Sequence, residues 1–301
     1  MSHAGRSLVK LIATFAACAL VPIAAAVPAP KPATAVPMRP YGTQPAVHVF
    51  VNGRGPYLFL VDTGASGLAR IDASVAKELA LPDRGNESAS GATRGAPVAI
   101  RRVAVASLRV GDREYRNLEP LSRSYNVPGE YVPDIGGILA LNLFEGQLLT
   151  IDFPRNEIRV EEGALPPADG RTILDYEEKG GLVHLPIAIQ GLKLTALVDT
   201  GTDRAIDLPT SVVRQLRLAD FPRGAGKAAG VTGEVAIAET RIAGDLLIGE
   251  HGVERPEATF SEAFQFPILG SVFLHDFALT IDQKNKRIRL VRASGPRRPK
   301  P

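Results

Sequence analysis

The tripeptide Asp-Thr-Gly occurs twice in this chain, at Asp62-Thr63-Gly64 and Asp199-Thr200-Gly201, each closing an apolar run, YLFLVDTG and LTALVDTG. Two carboxyls held side by side cannot both ionise readily, so such a pair keeps one proton in common. One member can then take a proton from a bound water while the other gives a proton to the carbonyl that the water attacks. Asp62 and Asp199 are therefore the expected catalytic groups. Thr63 and Thr200 each supply a hydroxyl able to bond across to the opposite loop and hold the carboxyls in place. Gly64 and Gly201 let backbone approach the pair with no side chain in the way.

The elements that must position these residues repeat as well, which is the mark of a duplicated unit. AVHVFVNGRGPYLFLVDTG precedes the first tripeptide and LVHLPIAIQGLKLTALVDTG the second. Both read as strand, tight turn, strand, with turns at Asn52-Gly53 and Gln190-Gly191. A short amphipathic helix is predicted after each tripeptide, over 72–81 with Asp72 as N-cap and over 209–218 with Pro209 in the first turn. The Gly-rich stretches 85–100 and 223–237 occupy the same place in the two units and are expected to form hairpins that fold over a cleft. Further on, 136–160 matches 266–290. Asp152 and Asp282 recur there, in TIDF and TIDQ, and are expected to mark the turn into the next hairpin rather than to do chemistry.

Length and composition agree with this organisation. The 301 residues are 45% hydrophobic, and their many short β-like runs are broken by 29 Gly and 24 Pro. The expected fold is mainly β, as two similar β-rich lobes related by a pseudo-twofold axis, each with a short helix or two. Residues 1–26 read as a signal peptide: Arg6 and Lys10 precede an apolar stretch that ends in Ala24-Ala25-Ala26. Residues 27–43 form a Pro/Ala-rich leader, 44–163 the first lobe, 164–180 a linker, 181–292 the second lobe and 293–301 a basic tail. The expected location is outside the cytoplasm, periplasmic or secreted, with membrane contact only if the signal is retained. Cys18, the one cysteine, lies in that segment, so the mature chain has no thiol to cross-link.

The formal net charge of +3 resides at the ends of the chain, and the body is slightly acidic, which argues against a nucleic-acid partner. No H-E-x-x-H, G-x-S-x-G or G-x-x-x-x-G-K pattern is present, so no metal, no cofactor and no serine nucleophile is expected. His48 and His184, at matching places in the first strand of each unit, are expected to be structural.

With these residues in hand, the chain resembles the pepsin and retropepsin-like aspartic proteases over roughly 44–292. The resemblance rests on the two Asp-Thr-Gly loops and on Ile138-Leu139 and Ile268-Leu269-Gly270 downstream of each. It implies a β-rich pair of lobes of the acid-protease type with the catalytic pair Asp62 and Asp199 between them. It implies too that Thr63, Thr200 and the glycines buttress the pair, and that Asp203 and Ala65 meet the substrate. Two candidate flaps make it look closer to a fused retropepsin dimer, and the expected assembly is a monomer with an internal pseudo-dimer.

Three features depart from the family pattern. Ala140 stands where a Gly is expected, Ser66 stands opposite Asp203, and neither flap stretch contains Tyr. Ala65 faces Thr202 across the repeat, and a hydroxyl on one side alone is expected to favour ionised Asp199, leaving Asp62 the protonated partner. The activity expected is peptide-bond hydrolysis by a water held between the carboxyls, on peptide or protein substrates. The alternative is an inactive module that holds extended peptides in the same cleft by strand addition.

Overall fold

Alternating apolar residues in AVHVFV make the strand Ala46–Val51, which buries Val47, Val49 and Val51 and exposes His48. Asn52 and Gly53 both take positive φ, 49° and 74°, as a two-residue hairpin turn requires, and the chain returns as Arg54–Asp62. Gln190 and Gly191 do the same, at 50° and 83°, between Leu182–Ile189 and Leu192–Val198.

The computed structural model describes Met1 and residues 34–39, 41–89, 93–126, 134–230 and 233–293. The expected signal segment after Met1, leader residues 27–33 and tail residues 294–301 lie outside the described residues.

Two large sheets repeat one another strand for strand. In the first, the order is Asp83–Ala89, Val98–Val103, Leu121–Arg123, Ala69–Asp72, Gly137–Ala140, Arg54–Asp62, Ala46–Val51, Val105–Val110, Arg113–Leu118. In the second it is Arg223–Gly230, Gly233–Arg241, Glu257–Ser261, Ile206–Pro209, Ile268–Leu269, Leu192–Val198, Leu182–Ile189, Leu246–Ile248, His251–Val253, with Glu177–Lys179 paired to Leu182–Ile189 as a tenth strand. The duplication read from two tripeptides is therefore a duplication of topology.

A third, six-stranded sheet joins the halves: Leu148–Asp152 pairs antiparallel with Phe277–Asp282, and Thr150 and Thr280 meet hydroxyl to hydroxyl at 2.9 Å. Asp152 and Asp282 begin the matching turns, accepting from the Arg155 and Asn285 N–H groups at 3.0 Å each. Cores of fully buried Phe59, Leu139, Phe144 and Phe277, with Leu149, Ile151 and Ile281 in the shared sheet, supply the packing that holds a chain without disulfides together.

Some elements differ from expectation. The helix after the first tripeptide runs Ala73–Glu78, capped by Asp72 as anticipated, its Oδ1 accepting from the Ser74 N–H at 2.8 Å. The second is a single turn, Thr210–Val213, with Pro209 as its N-cap residue and not inside it. It stops early because the following backbone is claimed by a neighbour: the Arg217 N–H donates to Gln190 and the Ala219 N–H to the Arg241 carbonyl. Part of the leader is built into the fold. Thr34–Pro37 pairs with Glu157–Glu161 at the edge of the shared sheet, where Val36 and Met38 are buried. Within 164–180, Ile173–Asp175 pairs with Arg287–Arg292.

Candidate active site

Each Asp-Thr-Gly loop is set by a strand threaded between two others. Gly137–Ala140 lies parallel to Arg54–Asp62 and antiparallel to Ala69–Asp72, placing Ala140 beside Asp62. Ile268–Leu269 takes the same place in the second half, and the Leu269 carbonyl accepts from the Asp199 N–H at 2.9 Å. The Ala140 substitution does not disturb this arrangement. Ala140 is extended at φ −85° and fully buried, whereas a Cβ on Gly270 would lie 2.1 Å from the Arg204 carbonyl oxygen. Only the second half needs the glycine.

The tripeptides interlock reciprocally. The Thr63 hydroxyl donates to the Val198 carbonyl at 2.6 Å and accepts from the Thr200 N–H at 3.1 Å; the Thr200 hydroxyl donates to the Val61 carbonyl at 2.6 Å and accepts from the Thr63 N–H at 3.1 Å. Both threonines are wholly buried. Inside each loop the glycine N–H donates to its own aspartate, Gly64 to Asp62 at 2.8 Å and Gly201 to Asp199 at 2.9 Å. Each glycine also lies against the other loop's carboxyl. A Cβ on Gly64 would fall 2.3 Å from the Asp199 carboxyl carbon, and one on Gly201 would fall 2.4 Å from that of Asp62. No side chain fits at either position.

Thr200→Val keeps the shape of this interlock and deletes its hydroxyl. The Val61 carbonyl loses its donor and the Thr63 N–H its acceptor, both at buried residues. Chemical denaturation is expected to show a loss of roughly 1–3 kcal/mol, with catalytic turnover falling in parallel as the carboxyls lose their register. An unchanged unfolding midpoint would show that the interlock carries no stability.

Asp62 and Asp199 hydrogen-bond carboxyl to carboxyl, and together they line a cavity of about 340 Å³. Burial pushes the Asp62 carboxyl above the usual aspartate range; the Arg70 guanidinium, the Gly64 N–H and the bond from Asp199 pull it back. Asp199 is pushed well above that range, first by burial, then by the charge of Asp62 and the hydrogen bond the two share, with Asp207 adding to the effect. Both carboxyls are thus raised, and the pair holds one proton in common. The Thr202 hydroxyl meets Asp199 at 3.4 Å, while the Arg70 guanidinium acts on Asp62 from the other side.

Ala65 and Thr202 also line the cavity. Asp203 does not: its side chain is 67% exposed and pairs with Arg204 at 3.2 Å. His48 is exposed, and His184 is buried edge-on against Phe266, at 5.4 Å between rings. The Gly-rich stretches form matching hairpins, Asp83–Ala89 with Val98–Val103 and Arg223–Gly230 with Gly233–Arg241. Each carries a bulge at a left-handed glycine, Gly85 at φ +83° and Gly226 at φ +86°. Their tips, 90–92 and 231–232, lie outside the described residues. Thr93 and Ala228 bring both hairpins to the cavity, and the first crosses to the other half, where the Arg94 N–H donates to the Ala263 carbonyl at 2.8 Å.

Several residues of the site carry no sequence signal. The Gln44 amide donates to the Gly201 carbonyl, and Thr43 meets Ser271 at 2.8 Å, so the junction of leader and first lobe braces the second loop. Arg70, Arg123 and Tyr125 line the first-half wall; Arg204 holds Asp207 through two bonds, 2.7 and 2.6 Å, on the second.

No curated protein gives a significant match to the chain. Residues 47–139, from the strand that leads into the first catalytic hairpin to the strand threaded behind Asp62, match the family model described as aspartyl protease, and in this half the chain resembles that family in sequence as it does in the placing of its carboxyl.

Proposed function

We propose that the chain is an exported, single-chain aspartic endopeptidase that hydrolyses peptide bonds with a water held between Asp62 and Asp199. One observation carries the reading: each carboxyl is seated on the other loop's glycine and bonded to its counterpart, beside a cavity reached by both hairpins. Export rests on the pattern of residues 1–26.

In this reading, ionised Asp62 takes a proton from the water as its oxygen bonds to the scissile carbonyl carbon, and Asp199 gives its proton to the carbonyl oxygen. The product is a neutral gem-diol. Asp62 then hands its proton to the amide nitrogen, the C–N bond breaks, and Asp199 recovers a proton from the diol as the acid forms. The asymmetry that Arg70 and Asp207 impose on the pair supplies base and acid in the right places before substrate arrives.

The test is incubation of the purified protein with a mixed peptide library from acidic to neutral pH, with a transition-state-mimicking aspartic protease inhibitor as control. Inhibitor-sensitive cuts are expected. Because burial raises both carboxyls, the single-proton state extends above the range of an ordinary aspartate pair, and cutting should persist toward neutral pH. Binding of peptides without inhibitor-sensitive cuts at any pH would leave the noncatalytic module as the function.

A further inference from the structure

The two halves place opposite charges at one equivalent position beside the catalytic pair. Arg70 and Asp207 each follow their catalytic aspartate by eight residues, each sits in the strand paired to the threaded one, and each lines the cavity. Asp207, fully buried, is neutralised by the two-pronged bond from Arg204. Arg70 is 6% exposed and its Nε has no hydrogen-bond partner among the described residues. The Tyr125 hydroxyl is likewise buried, beside the Arg70 guanidinium, and makes no hydrogen bond of good geometry among the described residues.

Buried donors left unmatched are costly, and a buried cation more so. Two such donors, side by side on a cavity wall, describe a receptor for an anion. Opposite, the second half contributes apolar Leu182, Leu197, Phe266 and Ile268.

We propose that Arg70, assisted by Tyr125, receives a carboxylate of the substrate, so that the site selects peptides with an acidic group on the first-half side of the scissile bond and an apolar residue on the other. A planar guanidinium suits a carboxylate and not its amide isostere. The inference deepens the protease reading and rests on it for the phrase "scissile bond"; the recognition of a carboxylate does not depend on cutting.

The experiment compares end-capped peptides that differ only by Glu or Gln at each position flanking the cut, for the natural sequence and for Arg70→Met, Arg70→Lys and Tyr125→Phe. A third peptide, with Gln inside and a free C-terminal carboxylate, separates a side-chain acid from a chain end. The expected preference for the carboxylate in kcat/KM is about 10- to 100-fold, seen mainly in KM. Arg70→Met brings the Glu-to-Gln ratio close to one, and Arg70→Lys retains part of it. Should Arg70→Met not fold, the Arg70→Lys and Tyr125→Phe ratios decide, both expected to fall. Equal rates for Glu and Gln, or a preference that survives the Arg70 variants, overturn the inference.

Binding of the same peptides to Asp199→Asn, read by fluorescence anisotropy, separates the two readings. Arg70-dependent binding of the acidic peptide with no cleavage by the natural sequence upholds the carboxylate receptor and rejects the protease. Cleavage indifferent to the acid does the reverse.

Discussion

Asp199→Asn is expected to lower kcat/KM for any peptide the chain cuts by about 10²- to 10⁴-fold, the contribution of a well-placed acid or base, and to make the fold more stable at neutral pH. Asp62→Asn should cost a similar factor, and the double variant little more, because the two groups act on one proton as a unit. The gain in stability follows from the direction of the Asp199 shift. Folding raises the proton affinity of this carboxyl by burying it beside Asp62. Its contribution to stability is therefore fully present below the unfolded-state pKa and is lost as pH rises through the folded-state value. Asparagine does not titrate, so that loss disappears. Thermal unfolding followed from about pH 4 to about pH 8 should show a flatter stability profile for the variant, with the largest gain at the upper end. Parallel profiles would mean that Asp199 is no more protonated in the folded chain than in the unfolded one.

Arg204→Met should have the largest effect on stability, a loss of about 3–5 kcal/mol, the usual consequence of stranding one partner of a buried ion pair. Asp207 is wholly buried, and both its oxygens are held by Arg204, at 2.7 and 2.6 Å. With Arg204 gone, its carboxylate must either stay charged without a partner or take up a proton. Calorimetry should record the loss, and the deficit should narrow at acid pH, where protonation relieves the stranded charge. Arg204→Met combined with Asp207→Leu should recover most of it, since an apolar pair of similar volume replaces an ion pair at little cost. A double variant as unstable as the single one would show that Arg204 stabilises through packing and not through charge.

Much of the scaffold is written in short windows of sequence. The turns at Asn52-Gly53 and Gln190-Gly191, the Asp72 cap and the turn-initiating Asp152 and Asp282 were all legible, because each depends on backbone chemistry within a few residues. The reach of the second helix was not. Its apolar spacing continues to Leu218, but bonds from Gln190 and Arg241, distant in the chain, take the backbone away after one turn. The strand Thr34–Pro37 was hidden for the same reason: a Pro/Ala-rich leader has no pattern of its own, and its partner lies more than a hundred residues away.

At the candidate site, the sequence by itself determined the repeated unit, the two Asp-Thr-Gly loops and the roles open to their side chains, since these follow from residue type and from position in a duplicated pattern. Only the tertiary structure decided which charges surround the pair and what lines its cavity. Arg70, Tyr125 and Asp207 reach the cavity from separate strands and loops, and the field they exert on Asp62 and Asp199 depends on distance and burial, neither of which a linear chain records. Thr202, three residues along the chain from Asp199, was legible as a neighbour of the pair; the Arg70 guanidinium that folding buries beside Asp62 was not.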